Sequence, residues 1–407
     1  MLTNLTEAQK QEFTKVITSL GQSLDITETQ YNALVKSYEA VGKWLQGDPV
    51  LSVYNPIVTP QGSLRLGTII QPISPDDDMD VDLVFRLSGK SYSWTQKSIK
   101  DLVGKRLKAN GTYNGMLDTT EGKRCWTLKY RQDSDNLKER YHMDILPCVA
   151  NSQYETEYRS LANTAFDINQ MNKIAIRITD KTHPLYSSSI DIDEWLKSNP
   201  DGYALWFASR CTHSKDKVLL AESIVPINKY TKEKSTLQRI VQILKRHRDI
   251  KFYNKDDKPI SIIITTLAAK AYKGETSILE GLANVVSTME NYIEKDELGN
   301  DAVYNPLDNT ENFADKWIKS PAKRRNFYDW LACAKSDIAT ILSSKGVTVW
   351  ENIGKNFGKS LSEAARTNYT SGIKSGIKDG SLRIGTAGVL SSVGKSVNSA
   401  NTFYGKE

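Results

Sequence analysis

Two aspartates one residue apart, Asp80 and Asp82, lie in an apolar segment that follows a small-residue turn at Gly62 and Ser63. Alternate side chains of a β-strand share a face, so we expect both carboxylates to point the same way. Two adjacent like charges are costly in a sheet, and Mg²⁺, which prefers oxygen ligands, offsets their repulsion. The N–H groups and hydroxyl of a Gly-Ser turn suit a phosphate. The pattern therefore indicates metal-assisted nucleotidyl transfer.

A third carboxylate, Asp144, lies in a second strand-like segment, Tyr141 to Pro147. Nucleotidyl transfer commonly uses two divalent ions held by carboxylates from neighbouring strands. We expect Asp80 and Asp82 to bind both ions, and Asp144 to hold the ion that activates the acceptor hydroxyl and to draw off its proton. Taken alone, Asp144 is better explained as a strand-edge residue that caps a turn. The combination of turn, pair and later aspartate is more specific.

The elements that must position these residues can be predicted from hydrophobic spacing. Apolar residues recur at three- and four-residue intervals between Leu5 and Gln46, which predicts helices. A helix is also expected over 98–107, and strands are expected over 125–130 and 141–147, joined by a polar hairpin. This order predicts a small mixed sheet covered by helices.

The second half of the chain has a different character. Strong helical patterns run over 236–249 and 260–272, and further helices are expected up to Ile341. Residues 372–407 are rich in Gly, Ser, Lys and Asn and are predicted to form a flexible tail. The sequence thus predicts an α+β protein whose C-terminal half is mostly helical.

Composition excludes several classes of protein. The chain has 407 residues, which favours two domains, and its longest apolar runs fall short of the roughly 18 residues of a membrane span. The N-terminus lacks the apolar centre of a signal peptide. No membrane partner is therefore expected. The four cysteines form no CxxC pair, which indicates neither a disulfide framework nor a zinc site, and we expect a reducing cytoplasm. The net charge of +6 is mild, so no stable nucleic-acid partner is expected.

The Gly-Ser turn and the three aspartates together resemble the motif of a known superfamily. Gly62-Ser63, Asp80-x-Asp82 and the later Asp144 resemble the nucleotidyltransferase pattern. More narrowly, the chain resembles the bacterial CD-NTases, the cyclic-oligonucleotide synthases of antiphage (CBASS) signalling, which are relatives of animal cyclic GMP-AMP synthase and oligoadenylate synthase. Three segments support the narrower match: Leu237–Asp249, Pro259–Leu267 and Asn305–Trp317.

The resemblance implies a bilobal, polymerase-β-like fold with a cleft between a mixed sheet and a C-terminal helical domain. The expected division is N-terminal helices over 1–50, a catalytic sheet domain over 51–195, a helical domain like that of oligoadenylate synthase over 196–371, and a tail over 372–407. The cofactor it implies is Mg²⁺, with Mn²⁺ as the alternative ion.

The resemblance also implies which residues bind the donor nucleotide. Gly62 and Ser63 would contact its triphosphate, together with Lys245 and Ser261 from the helical half. Lys245 as a solvent-exposed helix lysine is the alternative for that residue. Ser261 is as readily explained as a helix N-cap.

Further candidates are less specific. Gln61 and Arg65 flank the Gly-Ser turn and are candidates for nucleotide contact. An aromatic residue is expected to stack on the base, and the candidates are Tyr203, Trp206, Phe252 and Tyr253.

The activity implied is the joining of nucleoside triphosphates into a cyclic di- or trinucleotide with release of pyrophosphate, and a separate effector would sense the product. Two alternatives stay open: nucleotide addition to RNA or protein by the same metal site, and an inactive nucleotide-binding scaffold. The segment Asn401–Gly405 resembles the ends by which some of these synthases are conjugated by ubiquitin-like E1/E2 machinery. Lys406 and Glu407 follow Gly405 and depart from that pattern, so an ordinary terminus is the alternative.

Overall fold

The computed structural model of the protein describes residues 1–73, 79–132, 134, 140–150, 153–161, 171–212, 230–379, 381, 383–384, 390–391 and 396–397. No helix in these ranges is long and apolar enough to cross a membrane. The candidate conjugation segment Asn401–Gly405 lies outside the described residues.

Two capped helices open the chain, as the apolar spacing predicts. They are α1 (Glu7–Gln22) and α2 (Glu28–Gln46). Thr6 and Thr27 are their N-caps, and each forms a capping box with the glutamine three residues later.

A mixed sheet of six strands forms the centre of the first half. Its spatial order is β1-β2-β4-β5-β6, and β3 pairs with β4 beyond that path. The strands are β1 (Ile57–Gln61), β2 (Met79–Leu87), β3 (Trp126–Tyr130), β4 (Tyr141–Val149), β5 (Ile176–Ile178) and β6 (Leu196–Ser198). Strands β2 and β4 run parallel, whereas β1 on β2 and β3 on β4 are antiparallel. The expected mixed sheet is confirmed.

Short and medium helices connect these strands. They are α3 (Gly62–Arg65), α4 (Gln96–Lys108), α5 (Gly111–Met116) and α6 (Tyr154–Ser160). One face of the sheet packs on α2 and α4 in an apolar cluster that contains Val81, Leu83, Met143 and Ile145.

The second half is mostly helical. Its helices are α7 (Pro200–Cys211), α8 (Thr236–Lys251), α9 (Ser261–Ala271), α10 (Ile278–Thr288), α11 (Lys316–Lys319), α12 (Pro321–Ser343), α13 (Val347–Phe357) and α14 (Lys359–Lys378). Short strands lie between α10 and α11, namely β7 (Glu294–Lys295), β8 (Asp301–Ala302), β9 (Tyr304–Asn305) and β10 (Asp308–Asn312). Near the C-terminus lie β11 (Arg383–Ile384), β12 (Leu390–Ser391) and β13 (Ser396–Val397).

The second face of the sheet changes character along the strands. Its far end, with Val84, Leu146 and Cys148, is buried in the same apolar cluster as α1, α8 and α9. Its near end carries Asp80 and Asp82 and is only partly covered. The helical half therefore seals one end of this face and leaves the carboxylate end accessible.

Replacing Ile145 tests whether the opposite, apolar face holds the sheet in register. Ile145 is fully buried beside Leu83, so we expect Ile145→Ala to lower the free energy of unfolding by about 2–5 kcal/mol. Urea denaturation measures the change. The control is Val53→Ala at a position that is 70% exposed, where little change is expected. Equal effects of the two variants would contradict the assignment of this face to the core.

Candidate active site

The parallel pairing of β2 with β4 brings the carboxylates onto one face. Asp82 and Asp144 are direct partners in the register, and Asp80 is the partner of His142. Neighbouring strands lie about 4.8 Å apart, so Asp82 and Asp144 stand side by side with Asp80 one step along the same face. The residues that alternate with the pair, such as Val81, are buried on the opposite face, as the spacing predicts.

The site holds Asp82 in an unfavourable environment for a negative charge. The pKa of Asp82 is raised to about 7, first by burial and then by the neighbouring Asp80 and Asp144 carboxylates, while Lys245 acts in the opposite direction. A positive charge beside Asp82 would therefore be favourable.

The neighbouring strand orients the third carboxylate. Thr127 on β3 is the register partner of Asp144, and its hydroxyl donates a hydrogen bond to Asp144 Oδ1. Sequence reasoning missed Thr127, because the pairing of β3 with β4 is needed to place it beside an aspartate. One indication of this role was available in the sequence, because Thr127 is a polar residue in the alternating strand segment that follows Cys125.

The donor set fits a divalent cation by its chemistry. Three carboxylates on one face supply the oxygen ligands that Mg²⁺ prefers, and burial together with the two neighbouring carboxylates raises the pKa of Asp82. Among the described residues, however, no group of three or more His, Cys, Asp or Glu side chains is gathered as a metal cluster. Asp144 is instead engaged with Thr127. Simultaneous ligation by all three would therefore require their side chains to turn toward one point.

The Gly-Ser turn lies directly against these carboxylates. Gly62 follows β1, whose last residue, Gln61, is the register partner of Asp82. Gly62 has φ +58°, and a Cβ built there would lie 2.2 Å from Asp82 Oδ2. Only glycine fits this conformation and this approach without displacing the carboxylate.

A cavity of about 230 Å³ opens beside the turn. Asp80, Asp82, Gly62 and Ser63 line one side of it, and residues of α8, α9 and the loop between them line the other. Asp144 and Gln61 are not among its lining residues. The structure therefore brings together two of the three carboxylates, the turn and the helical half around one space.

Lys245 reaches this cavity from the helical half, in contrast to the alternative of an exposed helix lysine. Its side chain is buried, and its Nζ donates a hydrogen bond to the Thr68 carbonyl oxygen at 3.1 Å. Burial and the nearby Arg248 guanidinium lower its pKa to about 8, opposed by Asp249 and by the Asp80 and Asp82 carboxylates. The ammonium group therefore stays mostly protonated at neutral pH.

One face of α8 holds the loop that follows the Gly-Ser turn. Gln238 Nε2 donates to the Leu66 carbonyl and Gln242 Nε2 to the Ile69 carbonyl, both at 2.9 Å. Together with Lys245 on the Thr68 carbonyl, and Arg246 on that of Gln71, they form what we call the carbonyl clamp.

Sequence reasoning missed both glutamines of the clamp. Its members stand at 238, 242, 245 and 246, a spacing that places them on one face of a helix, and this polar spacing was the available signal.

A buried charge cluster ties the turn to α7. The Arg65 guanidinium donates to the Tyr158 hydroxyl at 2.7 Å and lies 3.8 Å from Asp201, the second residue of α7. Arg86 on β2 lies 3.6 Å from the same carboxylate. Arg65, considered from the sequence as a nucleotide contact, is therefore engaged in this cluster and does not line the cavity.

The candidate base-stacking residues lie elsewhere. Tyr203 is 6% exposed, and its hydroxyl forms a 2.8 Å hydrogen bond with the Thr266 hydroxyl inside the helical core. Trp206 packs beside it in the same core, and neither Phe252 nor Tyr253 lines the cavity. Aliphatic residues line it instead, among them Leu66, Ile69, Ile70 and Ile262.

Ser261 lines the cavity as the first residue of α9. Its hydroxyl accepts a hydrogen bond from Arg248 at 2.8 Å. The N-cap position belongs to Ile260, which makes no side-chain cap, so the alternative of Ser261 as an N-cap is not what the structure shows. The hydroxyl is thereby held toward the space that Lys245 also borders.

Comparisons with known proteins place the chain in a family. The family model for the nucleotidyltransferase domain of DncV-like cyclic GMP-AMP synthases matches residues 56–147, which contain the turn and all three aspartates. A c-di-GMP synthase from Roseivirga ehrenbergii is 30% identical over 335 residues, covering 80% of this chain and 79% of that protein.

Solved structures share the fold. The CD-NTase CdnG of Bradyrhizobium diazoefficiens, solved in complex with GTP, has a TM-score of 0.64 at 17% identity and covers 88% of this chain and 99% of its own. CdnC of E. coli MS115-1, solved with ATP, has a TM-score of 0.56 at 13% identity, with coverage of 85% and 98%. Fold and site together define a nucleotidyltransferase. The chain belongs to the bacterial CD-NTase family.

Adding one methyl group at Gly62 tests the close contact with Asp82. We expect Gly62→Ala to reduce pyrophosphate release from nucleoside triphosphates by about 100-fold, because the new Cβ displaces the carboxylate. Gly115→Ala is the matched control, since a Cβ there meets nothing within 4 Å. Activity of Gly62→Ala within twofold of the control, on the order of assay error, would contradict the contact.

The raised pKa of Asp82 predicts a pH-dependent stability. Between the unfolded pKa and about 7, the folded protein binds the proton more tightly, so its stability falls as pH rises. In buffer with chelator, Asp82→Asn should therefore stabilise the protein more at pH 8 than at pH 5, by on the order of 2 kcal/mol. Chemical denaturation at both pH values measures this.

The control for this experiment is Asp329→Asn, at an exposed position on α12. It should leave the pH profile unchanged. A stabilisation by Asp82→Asn of the same size at both pH values would show that the charge of Asp82 is not destabilising in the folded state.

Proposed function

We propose that the protein joins nucleoside triphosphates into a cyclic di- or trinucleotide second messenger, with release of pyrophosphate, in bacterial antiphage (CBASS) signalling. The observation that carries this proposal is the parallel register that places Asp82 beside Asp144, next to a cavity bordered by Gly62, Ser63 and Lys245. The relative from Roseivirga, a c-di-GMP synthase by name, supports the same reaction class.

Asp80, Asp82 and Asp144 are the residues we propose to hold Mg²⁺, with Mn²⁺ as the alternative. Bound divalent cations would neutralise the phosphate charge and lower the pKa of the acceptor hydroxyl. The pKa of Asp82, raised by burial and by the neighbouring Asp80 and Asp144 carboxylates, supports this assignment, because a bound cation would favour the charged form of all three side chains.

The donor triphosphate is proposed to lie between the turn and the helical half. The turn at Gly62 and Ser63 brings a backbone N–H and a hydroxyl to the cavity. Lys245 supplies a compact positive charge from the opposite side, and Ser261 supplies a hydroxyl. Gln61 stays a candidate through its place at the end of β1, whereas the buried position of Tyr203 argues against its stacking on a base.

The acceptor proton is proposed to pass to Asp144. Thr127 orients this carboxylate through its hydrogen bond, and the sheet places it beside Asp82. The acceptor hydroxyl attacks the donor α-phosphate, the P–O bond to pyrophosphate breaks, and the hydroxyl proton leaves to the carboxylate. A second round in the same cavity joins the remaining ends and closes the ring.

The cellular setting follows from the reaction. We propose that the enzyme works in the cytoplasm, where nucleoside triphosphates are available, and that a separate effector senses its product. Conjugation through the C-terminal segment remains a prediction from the sequence alone.

Removing the paired charges tests the reaction. Wild-type protein with Mg²⁺ and all four labelled triphosphates should give a phosphatase-resistant product whose mass identifies its bases and ring size. Asp80→Asn combined with Asp82→Asn should lower its yield by at least about 1,000-fold while the protein stays folded. Asp101→Asn, at an exposed position on α4, is the control.

Three outcomes would contradict the proposal. Turnover by the double variant would show that the carboxylates are not the catalytic site. A wild-type protein that adds nucleotides only when RNA or a protein acceptor is supplied would show a template-independent transferase instead. Binding of triphosphate without any turnover would indicate a scaffold.

A further inference from the structure

The loop between α8 and α9 brings an additional lysine to the cavity. Lys258 lines it together with Arg248 and Asp249 from the last turns of α8. The side chain of Lys258 is 43% exposed, whereas those of Arg248 and Asp249 are 7% and 9% exposed. This wall thus carries two nearly buried charged side chains and one accessible ammonium group.

Asp249 is the anion to which both cations are bound. Its Oδ1 accepts a hydrogen bond from Arg248 Nε at 2.8 Å and lies 3.3 Å from Lys258 Nζ. Arg248 has further acceptors, since it donates to the Pro259 carbonyl at 3.0 Å and to the Ser261 hydroxyl at 2.8 Å. Arg248 would keep its position without Asp249, but the ammonium group of Lys258 is drawn to that carboxylate.

The backbone on either side of Lys258 is fixed to its surroundings. Asp257 forms an ion pair with Lys323 on α12, and its carbonyl accepts a hydrogen bond from Asn326 at 3.2 Å. On the other side of Lys258, the carbonyl oxygen of Pro259 accepts a hydrogen bond from Arg248. The Lys258 side chain therefore extends from an anchored backbone, and its long flexible stem lets the ammonium group change partners.

The charges along this wall favour a polyanion. Lys245, Arg248 and Lys258 carry three positive charges, and Asp249 supplies one negative charge among them. A triphosphate or pyrophosphate brings several negative charges and oxygen acceptors, and it would compete with a single carboxylate for an accessible lysine. Asp249 is then the partner that the ammonium group leaves when polyphosphate enters.

We propose that Lys258 binds the β- and γ-phosphates of the donor, and the pyrophosphate after transfer, and that Asp249 holds its ammonium group while the cavity is empty. The donor being a triphosphate rests on the function proposed above. The exchange itself concerns only ionic contacts, and no covalent bond is made or broken in it.

Pyrophosphate binding tests the exchange apart from catalysis. Titration calorimetry with magnesium pyrophosphate should show about a 10-fold weaker affinity for Lys258→Met and near wild-type affinity for Lys258→Arg. Lys255→Met is the matched control, because this lysine belongs to the same loop but does not line the cavity. Affinity of Lys258→Met equal to that of the control would overturn the proposal.

A double-mutant cycle tests the part played by Asp249. Asparagine can still accept the hydrogen bond of Arg248 but does not attract Lys258 as an anion. We expect Asp249→Asn to tighten pyrophosphate binding by about 2- to 5-fold, and by a smaller factor in the Lys258→Met background, where the charge of Asp249 still acts on Lys245 and Arg248. Equal tightening in the two backgrounds would overturn the exchange. Weaker binding by Asp249→Asn in both backgrounds would show that Asp249 only supports the loop, and would overturn the exchange.

The two proposals can fail separately. If the wild type makes no cyclic product but Lys258→Met still loses pyrophosphate affinity, the function proposed above is wrong and the phosphate site stands. If the wild type makes the product and Lys258→Met binds pyrophosphate normally, with an unchanged KM for triphosphate, the role of Lys258 is wrong and the function stands.

Discussion

The parallel register between β2 and β4 is the constraint on which the site depends. Asp82 faces Asp144 only because Val81 and Leu83 pair with Met143 and Ile145 on the opposite, buried face. A shift by one residue would turn the carboxylates of one strand into the apolar core and bring aliphatic side chains to the cavity. Burial of the apolar residues that alternate with the carboxylates thus supplies the free energy that fixes the carboxylates in place.

The same face serves two purposes along its length. At its far end, Val84, Leu146 and Cys148 join the core of the helical half, and this contact fixes the two halves against each other. At its near end, Asp80, Asp82 and Asp144 are left partly uncovered. The carbonyl clamp of α8 and the buried cluster around Asp201 hold the loop and turn at this boundary. The site therefore forms at the boundary between the apolar core and these polar contacts.

Local pattern was enough to predict the longer helices α1, α2, α4, α8 and α9, the strands β3 and β4, and the face of each aspartate, because the period of the apolar residues decides which side chains are buried. It did not predict β1, whose segment contains Pro60. It could not predict that Thr127 would bind Asp144 or that Arg65 would bind Tyr158, since these contacts depend on pairings between distant segments. Tyr203 was a candidate for base stacking, but it is buried, because an aromatic residue near a predicted cleft is more often part of the core. The sequence correctly places Ser261 at the start of a helix. It does not predict that the Ser261 hydroxyl accepts a hydrogen bond from Arg248, which belongs to a different helix, α8.

The site as proposed requires Asp80, Asp82 and Asp144 together to bind divalent cations beside a bound triphosphate. Anomalous scattering from a crystal grown with Mn²⁺ and a nonhydrolysable triphosphate would locate these ions. We expect anomalous density among the three carboxylates and the phosphates, with the side chain of Asp144 turned toward the metal. Ordered triphosphate with Mn²⁺ bound away from the three aspartates would contradict this expectation.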